Sequence, residues 1–175
     1  PLLRTVYGPV LRKDWLDNLG LDVPTTLDDW HEMLTAFKEQ DPNGNGEADE
    51  IPLLPDLNSQ AFIGAFGITP GFYHEGNTVK YGPIQPEFKE FLTLMHQWYD
   101  EGLIDPDYVA TDNKLKDAKV TDNQLGAMMA YPGSGIDRYT TLMIEENPDV
   151  KFIGAPYPSL KEGEIPLGFE NNPYR

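Results

Sequence analysis

The sequence predicts one mixed α/β domain (α+β in its element order) that is rich in helices and has short strands. Apolar residues recur at helical spacing over residues 27–40 and 86–99. Residues 125–130 instead form an unbroken apolar run, which is typical of a strand buried on both faces. The 175 residues include 8 Phe, 9 Tyr and 3 Trp, enough for a hydrophobic core. We therefore expect residues 1–175 to form a single domain.

The first half of the chain is predicted to hold five elements. They are a short strand at 2–7, helices at 9–19, 27–40 and 59–66, and a β-hairpin at 72–81. Gly20 ends the first helix, because glycine readily adopts the left-handed conformation of a C-terminal cap. Thr26 caps the second helix, since Asp29 follows three residues later as in a capping box. Gly76 and Asn77 form the turn of the hairpin.

The second half is predicted to hold three helices and two strands. They are helices at 86–101, 112–120 and 134–146, and strands at 125–130 and 151–155. Pro86 suits the first position of its helix, where no backbone N–H is needed, and Gly102 ends that helix. Trp15, Trp30 and Trp98 lie on apolar helical faces, so we predict that they belong to the core and do not stack on sugars.

The segment after the second helix has the pattern of an EF-hand-like calcium loop. Oxygen-bearing side chains occupy every second position from Asp41 to Asp49, and Gly46 stands sixth. Ca²⁺ prefers six to eight oxygen ligands, which a loop coiled around the ion supplies from alternate residues. The candidate ligands are the side chains of Asp41, Asn43, Asn45, Asp49 and Glu50 and the backbone carbonyl of Glu47.

The end of this loop departs from the EF-hand pattern. Position 12, normally a bidentate glutamate, is Pro52, and the nearest carboxylate is that of Glu50 at position 10. Sensor EF-hands usually work in pairs and move a helix, whereas this sequence contains one such loop. We therefore predict a structural Ca²⁺ site. The alternative is a turn that is merely rich in Gly and Asn.

Composition argues against several classes of function. The net charge is −16 and the pI about 4.3, so no basic patch is expected for nucleic acid or an anionic membrane. The sequence has no Cys and therefore neither a disulfide nor a thiol site. It has no apolar run near the length of a membrane span. Because it opens on Pro1 and stops at Arg175 directly after a loop, we expect it to be part of something longer.

Signatures of catalysis are scarce. The three histidines, at positions 31, 74 and 96, do not have the spacing of metal ligands. The run Gly133-Ser134-Gly135 lacks the five-residue pattern of a nucleophile elbow. Any carboxylate pair for glycoside hydrolysis would be drawn from 29 Asp and Glu residues, which carries little information. The sequence therefore predicts a protein that is not an enzyme.

The turn after the strand at 125–130 is the best candidate for binding a ligand. Such strand-to-helix turns lie at the carboxyl end of the strand, where ligands of α/β domains usually bind. A helix that begins at Ser134 offers free backbone N–H groups, and Tyr131 is placed to stack on a sugar. The alternative is a plain turn with Ser134 as the N-cap. The candidate binding residues are Tyr131, Gly133, Ser134, Asp137 and Arg138.

Four segments together resemble a known family. They are residues 11–30, the calcium loop continued through Ile51-Pro52-Leu53, residues 86–106, and the strand and turn at 125–134. In this order they are similar to the extracellular solute-binding proteins of ABC importers. The most similar branch is the lipoprotein type of Gram-positive bacteria, which is related to alginate-binding proteins.

The resemblance implies a periplasmic-binding-protein-like fold of two α/β lobes joined by a hinge, with an oligosaccharide enclosed between them. This chain would be most of one lobe, with residues near 2–8 at the hinge. The resemblance also implies a monomeric carbohydrate-transport lipoprotein, extracellular or periplasmic, whose lipid anchor lies outside this chain and which delivers its ligand to permease subunits. The calcium loop would be structural, and Tyr131, Gly133 and Ser134 would face the ligand.

Two other functions fit the sequence. One is a calcium-stabilised carbohydrate-binding or accessory module of a secreted enzyme, and the other is a glycoside-acting enzyme. Tight glycan binding by the isolated chain would favour the first. Turnover that single Asp or Glu substitutions abolish would favour the second.

Overall fold

A computed structural model describes residues 7–168 of the chain. Its strands are β1 Gly8–Arg12, β2 Ile51–Leu54, β3 Phe72–Glu75, β4 Thr78–Tyr81, β5 Leu125–Ala130 and β6 Phe152–Gly154. Its α-helices are α1 Lys13–Leu19, α2 Leu27–Glu39, α3 Gln60–Ile63, α4 Pro86–Asp100, α5 Asn113–Thr121 and α6 Arg138–Met143. Within the described residues, no helix is both long enough and apolar enough to span a bilayer.

Four strands form one sheet in the order β2-β5-β1-β6, and β3 and β4 form a separate hairpin. β2 runs parallel to β5, whereas β1 runs antiparallel to both β5 and β6. The carboxyl ends of β2, β5 and β6 and the amino end of β1 therefore lie along one edge, here called the upper edge. The amino ends of β2 and β5 lie along the opposite, lower edge.

Helices cover both faces of this sheet. Successive side chains of a strand point to opposite faces. Accordingly Met129 packs in a cluster with residues of α1–α4, and Met128 packs in a second cluster with residues of α5 and α6. Trp15, Trp30 and Trp98 are fully buried in the first cluster, which confirms the prediction that they belong to the core.

The prediction of a helix over residues 9–19 is wrong for its first part. Residues Gly8–Arg12 form β1 and are all buried, and the helix begins only at Lys13. Val10 pairs with Met128 of β5 on one side and with Gly154 of β6 on the other. A strand buried between two neighbours shows no alternation of polar and apolar residues, so its apolar run can pass for a helical face. Residues 2–6 of the expected first strand lie outside the described residues.

The prediction of a helix over residues 134–146 is also partly wrong. Residues Pro132–Asp137 form a wide π-type turn, and α6 spans only Arg138–Met143. The turn follows Tyr131 directly, so Ser134 lies inside the turn and is not an N-cap. Gly135 packs so closely on β5 that a Cβ atom there would lie 2.5 Å from the Cβ of Ala130.

Strand β2 (Ile51–Leu54) was not predicted from the sequence, because its four residues are too few to show a period and they follow the loop directly. Most of the other elements agree with the sequence. Thr26 and Asp29 form a full capping box at the start of α2. Asp112 caps α5 by accepting a hydrogen bond from the backbone N–H of Leu115. Pro86 begins α4. The hairpin, α3, β5 and β6 also lie where the pattern predicted them.

Candidate functional site

A groove runs along the upper edge of the sheet. It consists of two neighbouring cavities of about 490 and 150 Å³, which share Tyr7, Asn113, Lys116 and Met129. The larger cavity is also lined by Asp117, Ala130, Tyr131, Ser134, Arg138 and Tyr139. The smaller one is also lined by Leu54, Pro55, Asp56, Tyr108, Thr111, Asp112 and Met128.

The topology of the sheet brings these residues together. Asp56 follows the carboxyl end of β2, Tyr131 follows the carboxyl end of β5, and Tyr7 precedes the antiparallel β1. All three therefore reach the same edge. The first turn of α5 supplies Asn113 and Lys116 from above the parallel pair. Ligands of α/β domains bind at such an edge, because the loops that leave the strand ends can diverge there.

Aromatic rings form one wall of the groove. Tyr131 is 44% exposed, and its ring centroid lies 4.9 Å from that of Tyr7. The Tyr7 hydroxyl donates to Asp56 Oδ2 at 3.0 Å. The Tyr157 hydroxyl donates to the Tyr7 carbonyl at 2.7 Å. Burial and the neighbouring Asp56 raise the pKa of Tyr7, so its hydroxyl remains a donor. Tyr7 thus supports Tyr131, whose exposed ring is free to contact a ligand.

An ion pair forms the other wall. Arg138 donates from Nη1 and Nη2 to the two carboxylate oxygens of Asp117, each at 2.7 Å. The Tyr139 hydroxyl donates to Asp117 Oδ1 at 2.6 Å. The hydrogen bond from Arg138 has the largest effect on the pKa of Asp117, and together with that from Tyr139 it lowers this pKa to about 2. The pair fastens α6 to α5 and fixes the shape of the wall.

The residues predicted to bind a ligand separate into two groups. Tyr131, Ser134 and Arg138 line the larger cavity. Gly133 and Asp137 are exposed and do not contribute to its lining. Sequence reasoning did not find the groove residues on other segments, namely Tyr7, Asp56, Asn113, Lys116 and Asp117. No local pattern marks them, because the strand order alone brings them to the edge.

The candidate calcium loop, residues 41–50, lies between α2 and β2 at the lower edge. Both carboxylate oxygens of Asp41 accept from backbone N–H groups, from Asn45 at 3.1 Å and from Gly46 at 3.0 Å. Asn43 Oδ1 accepts from the backbone N–H of Asn45 at 2.9 Å. Asn45 Oδ1 accepts from the N–H of Glu47 at 2.7 Å. These side-chain oxygens therefore hold the backbone of the loop in a tight turn.

Two carboxylates at the end of the loop have contrasting surroundings. Asp49 accepts from Gln124 Nε2 at 3.0 Å and from Asn45 Nδ2 at 3.1 Å, and these hydrogen bonds lower its pKa. Glu50 Oε1 is buried without a hydrogen-bond partner. Burial, and then the charges of Asp49 and Asp41, raise the pKa of Glu50. A buried carboxylate oxygen that lacks a hydrogen-bond partner and feels the charges of two further carboxylates suits a hard cation, so the chemistry of the donor set fits Ca²⁺.

The side chains of the loop do not converge fully on one point. Within residues 7–168, no three His, Asp or Glu side chains gather closely enough to form a metal-ligating group. The amide groups of Asn43 and Asn45 instead point their nitrogen atoms at Asp49 Oδ1, at 3.5 and 3.1 Å. Rotation of either amide by half a turn would present an oxygen.

The turn between α5 and β5 anchors the loop to the sheet. Gln124 contacts Asp49 with its side chain and accepts at its carbonyl from the N–H of Ile51 at 2.8 Å. Asn43 Nδ2 donates to the Asn123 carbonyl at 3.2 Å. The buried Arg12 donates to Asn123 Oδ1 at 2.6 Å and also pairs with Asp14. The loop is therefore held by the same turn that begins β5.

Comparison with known proteins gives the chain a family context. No family model matches it. It is 36% identical over 135 residues to the fructooligosaccharide ABC transporter substrate-binding protein FusA of Streptococcus pneumoniae, a match covering 72% of this chain and 25% of FusA. It is 35% identical over 134 residues to lipoprotein LipO of Bacillus subtilis, covering 69% of this chain and 26% of LipO. The matching region is thus about a quarter of each curated relative.

A solved structure shows a similarity of the same kind as these two sequences. The extracellular solute-binding protein from Bifidobacterium longum subsp. infantis superposes with a TM-score of 0.73 at 29% identity, covering 89% of this chain and 34% of that one. The chain is therefore similar to solute-binding proteins, one of which, FusA, is named as part of an ABC transporter. This finding confirms the resemblance of the four segments and the mixed α/β fold of a solute-binding protein. FusA is named for substrate binding, which agrees with the prediction that the chain is not an enzyme.

Two further solved structures similar to this chain are described in terms of calcium or an EF-hand. The alginate-binding protein AlgQ2 without calcium ion superposes with a TM-score of 0.75 at 25% identity, covering 88% of this chain and 32% of AlgQ2. An EF-hand mutant of FusA in complex with fructo-nystose superposes with a TM-score of 0.72 at 27% identity, covering 87% of this chain and 31% of FusA. FusA therefore has an EF-hand.

Proposed function

We propose that this chain forms the sugar-binding face of one lobe of an ABC-importer solute-binding protein. The observation that carries the proposal is the groove at the upper edge, where an exposed tyrosine ring lies beside hydroxyl, amide and charged groups. The names and complexes of the relatives support it. FusA is named for fructooligosaccharide, and one of its solved structures is a complex with kestose.

The groove offers the two kinds of contact that oligosaccharides require. The exposed ring of Tyr131 presents a flat apolar surface to the C–H face of a sugar. Asn113 and Ser134 supply neutral hydrogen-bonding groups for sugar hydroxyls, and Lys116 supplies a charged donor. The Asp117–Arg138 pair holds this wall in place, so few groups must be ordered when the ligand binds.

The full-length protein is the right material for testing sugar binding, because the second lobe of a solute-binding protein completes the cleft. We expect Tyr131→Ala to weaken the binding of kestose, or of whichever glycan a panel identifies, by about tenfold, which corresponds to roughly 1.4 kcal/mol. Phe72→Ala is the matched control, because Phe72 is a 77% exposed aromatic residue on the separate hairpin. Isothermal titration calorimetry measures both. Equal affinity of Tyr131→Ala and the parent protein would contradict the proposal.

We also propose that residues 41–50 hold one structural Ca²⁺. The side chains of Asp41, Asn43, Asn45, Asp49 and Glu50 and the carbonyl of Glu47 would bind it, with the amides of Asn43 and Asn45 rotated. When bound, the ion supplies the positive charge that the buried Glu50 oxygen lacks among the protein groups. The EF-hand of FusA supports this proposal. A melting temperature of the parent protein that EDTA leaves unchanged would refute it.

The wider setting follows from the same relatives. We propose that the whole protein is a monomeric lipoprotein at the outer face of the membrane or in the periplasm, and that it delivers sugar to permease subunits. LipO is named as a lipoprotein, and FusA is named as part of an ABC transporter. Light scattering of the full-length protein checks the monomeric state, and a dimer would contradict it.

A further inference from the structure

The charges that line the groove favour one class of sugar. Within the described part of the chain, the two cavities are lined by two cations and three carboxylates, namely Lys116, Arg138, Asp56, Asp112 and Asp117. Arg138 and Asp117 neutralise each other, because both Nη atoms of Arg138 already donate to that carboxylate. One cation therefore stands against two carboxylates, so the groove carries an excess of negative charge.

The two remaining carboxylates are fixed in place by the fold. Asp56 accepts from the Tyr7 hydroxyl and from the backbone N–H of Asn58, each at 3.0 Å. Asp112 accepts from the backbone N–H of Leu115 at 2.9 Å as the N-cap of α5. Each carboxylate has further lone pairs, which can accept hydrogen bonds from sugar hydroxyls. A carboxylate on the ligand would meet these same groups as like charges.

We infer that this groove selects neutral oligosaccharides over those that contain uronates. The inference rests on the proposed sugar-binding function. Arg138 would be the natural bidentate partner of a uronate carboxylate, but the Nη1–Nη2 edge of its guanidinium already binds Asp117, whose charge offsets that of Arg138. Only Lys116 remains to offset the repulsion from Asp56 and Asp112. The relatives differ in the charge of the sugars they are named for. FusA is named for fructooligosaccharide, which is neutral, and YtcQ of Bacillus subtilis for polygalacturonan and rhamnogalacturonan, which contain uronates.

The test compares two trisaccharides that differ in charge. Calorimetry on the full-length protein measures the Kd of kestose and of trigalacturonate at low and at high salt. We expect kestose to bind several-fold more tightly at low salt, because the net negative charge of the groove repels the carboxylates of trigalacturonate and one pair of unit charges about 4 Å apart costs about 1 kcal/mol even in water. Salt should leave the kestose Kd unchanged and strengthen the binding of trigalacturonate, because it screens the repulsion.

A double variant then assigns the preference to the groove. Asp56→Asn with Asp112→Asn removes both charges but keeps an acceptor for the Tyr7 hydroxyl and a competent N-cap for α5. We expect the ratio of the two Kd values to fall at least about threefold. The control is Glu87→Gln with Glu90→Gln, which removes the same charge from exposed positions of α4 outside the groove. The control should leave the ratio unchanged.

The outcomes are distinct. Tighter binding of trigalacturonate than of kestose by the parent protein overturns this inference while leaving the sugar-binding proposal intact. The inference is also overturned if the double variant leaves the ratio of the two Kd values unchanged, or if the control variant lowers this ratio by the same amount. Binding of neither probe nor any other glycan overturns the proposed function, and this inference with it.

Discussion

Gln124 offers the sharpest test of the calcium loop, because it reaches the loop from a segment that follows it by 75 residues. Its Nε2 atom donates to Asp49 Oδ2 at 3.0 Å, and Asp49 is a proposed ligand. Replacement by Met keeps the length and flexibility of the side chain but removes the donor. Asp49 would then be free to rotate away from the ion, so the affinity for Ca²⁺ should fall.

The size of this effect follows from the role of the contact. Loss of a hydrogen bond that orients a metal ligand typically weakens metal binding by about 10–100-fold, or roughly 1.4–2.7 kcal/mol. When Ca²⁺ is well above the Kd, the protein loses the same free energy of unfolding, since the metal binds only the folded state. This loss would lower the melting temperature in Ca²⁺ by roughly 3–11 °C for a cooperative unit of 150–250 residues, and by less if the longer full-length protein unfolds as one unit.

The assay combines thermal melting with calorimetry on the full-length protein. Gln124→Met should lower the melting temperature in Ca²⁺ but change it little in EGTA, and the Kd for Ca²⁺ should rise. Gln97→Met is the matched control, because Gln97 is an exposed residue of α4 that donates to Glu101 and lies outside the loop. An unchanged Kd in Gln124→Met would refute the positioning role. An equal loss of melting temperature in Ca²⁺ and EGTA would show that Gln124 stabilises the apoprotein alone.

Two further predictions concern the sheet and the groove wall. Gly126→Ala should destabilise the protein by about 1–3 kcal/mol, because the new Cβ would lie 2.6 Å from Cδ2 of the buried Phe37. Gly154→Ala is the control, because a Cβ there meets open space. Urea unfolding measures the free energy of unfolding of both variants. Asp117→Asn should destabilise the protein near neutral pH, and the gap from the parent should close as the pH falls from about 4 to about 2. The sign follows because the folded-state pKa of Asp117 is depressed to about 2, so its contribution is present above the unfolded-state pKa and lost on protonation. A gap that is constant over this range in urea titrations would count against the ion pair.

The sequence predicted elements well where a local pattern was unambiguous. The run at Leu125–Ala130 is short and apolar and lies between two turns, and it forms the fully buried β5. Thr26 and Asp29 specify a helix start through contacts three residues apart. The run at 8–12 failed because its strand character depends on pairing with β5 and β6, and those partners are more than 100 residues away.

The groove shows the same limit more clearly. Tyr131 and Ser134 could be found because a strand-to-helix turn is visible in the sequence. Tyr7, Asp56 and Lys116 reach the groove only because β1 runs antiparallel to β5 while β2 runs parallel to it. The direction of each strand is a property of the whole sheet, so no local pattern encodes it.

The positions of the loop and the groove would allow the proposed metal site and the proposed sugar site to coexist without direct contact. Gln124 immediately precedes β5, and Tyr131 immediately follows it. The six residues of β5 span about 20 Å, so an ion in the loop is too far from the groove to touch a ligand there. β5 is buried at every residue and pairs with both β2 and β1, so it forms a stiff, close-packed connection between the two positions. The loop ties the start of β2 to the start of β5 through Ile51 and Gln124. An ion in the loop would therefore stabilise the register of β2 against β5 at their amino ends. Because the carboxyl ends of the same two strands carry the groove, this is how the ion would act on sugar binding.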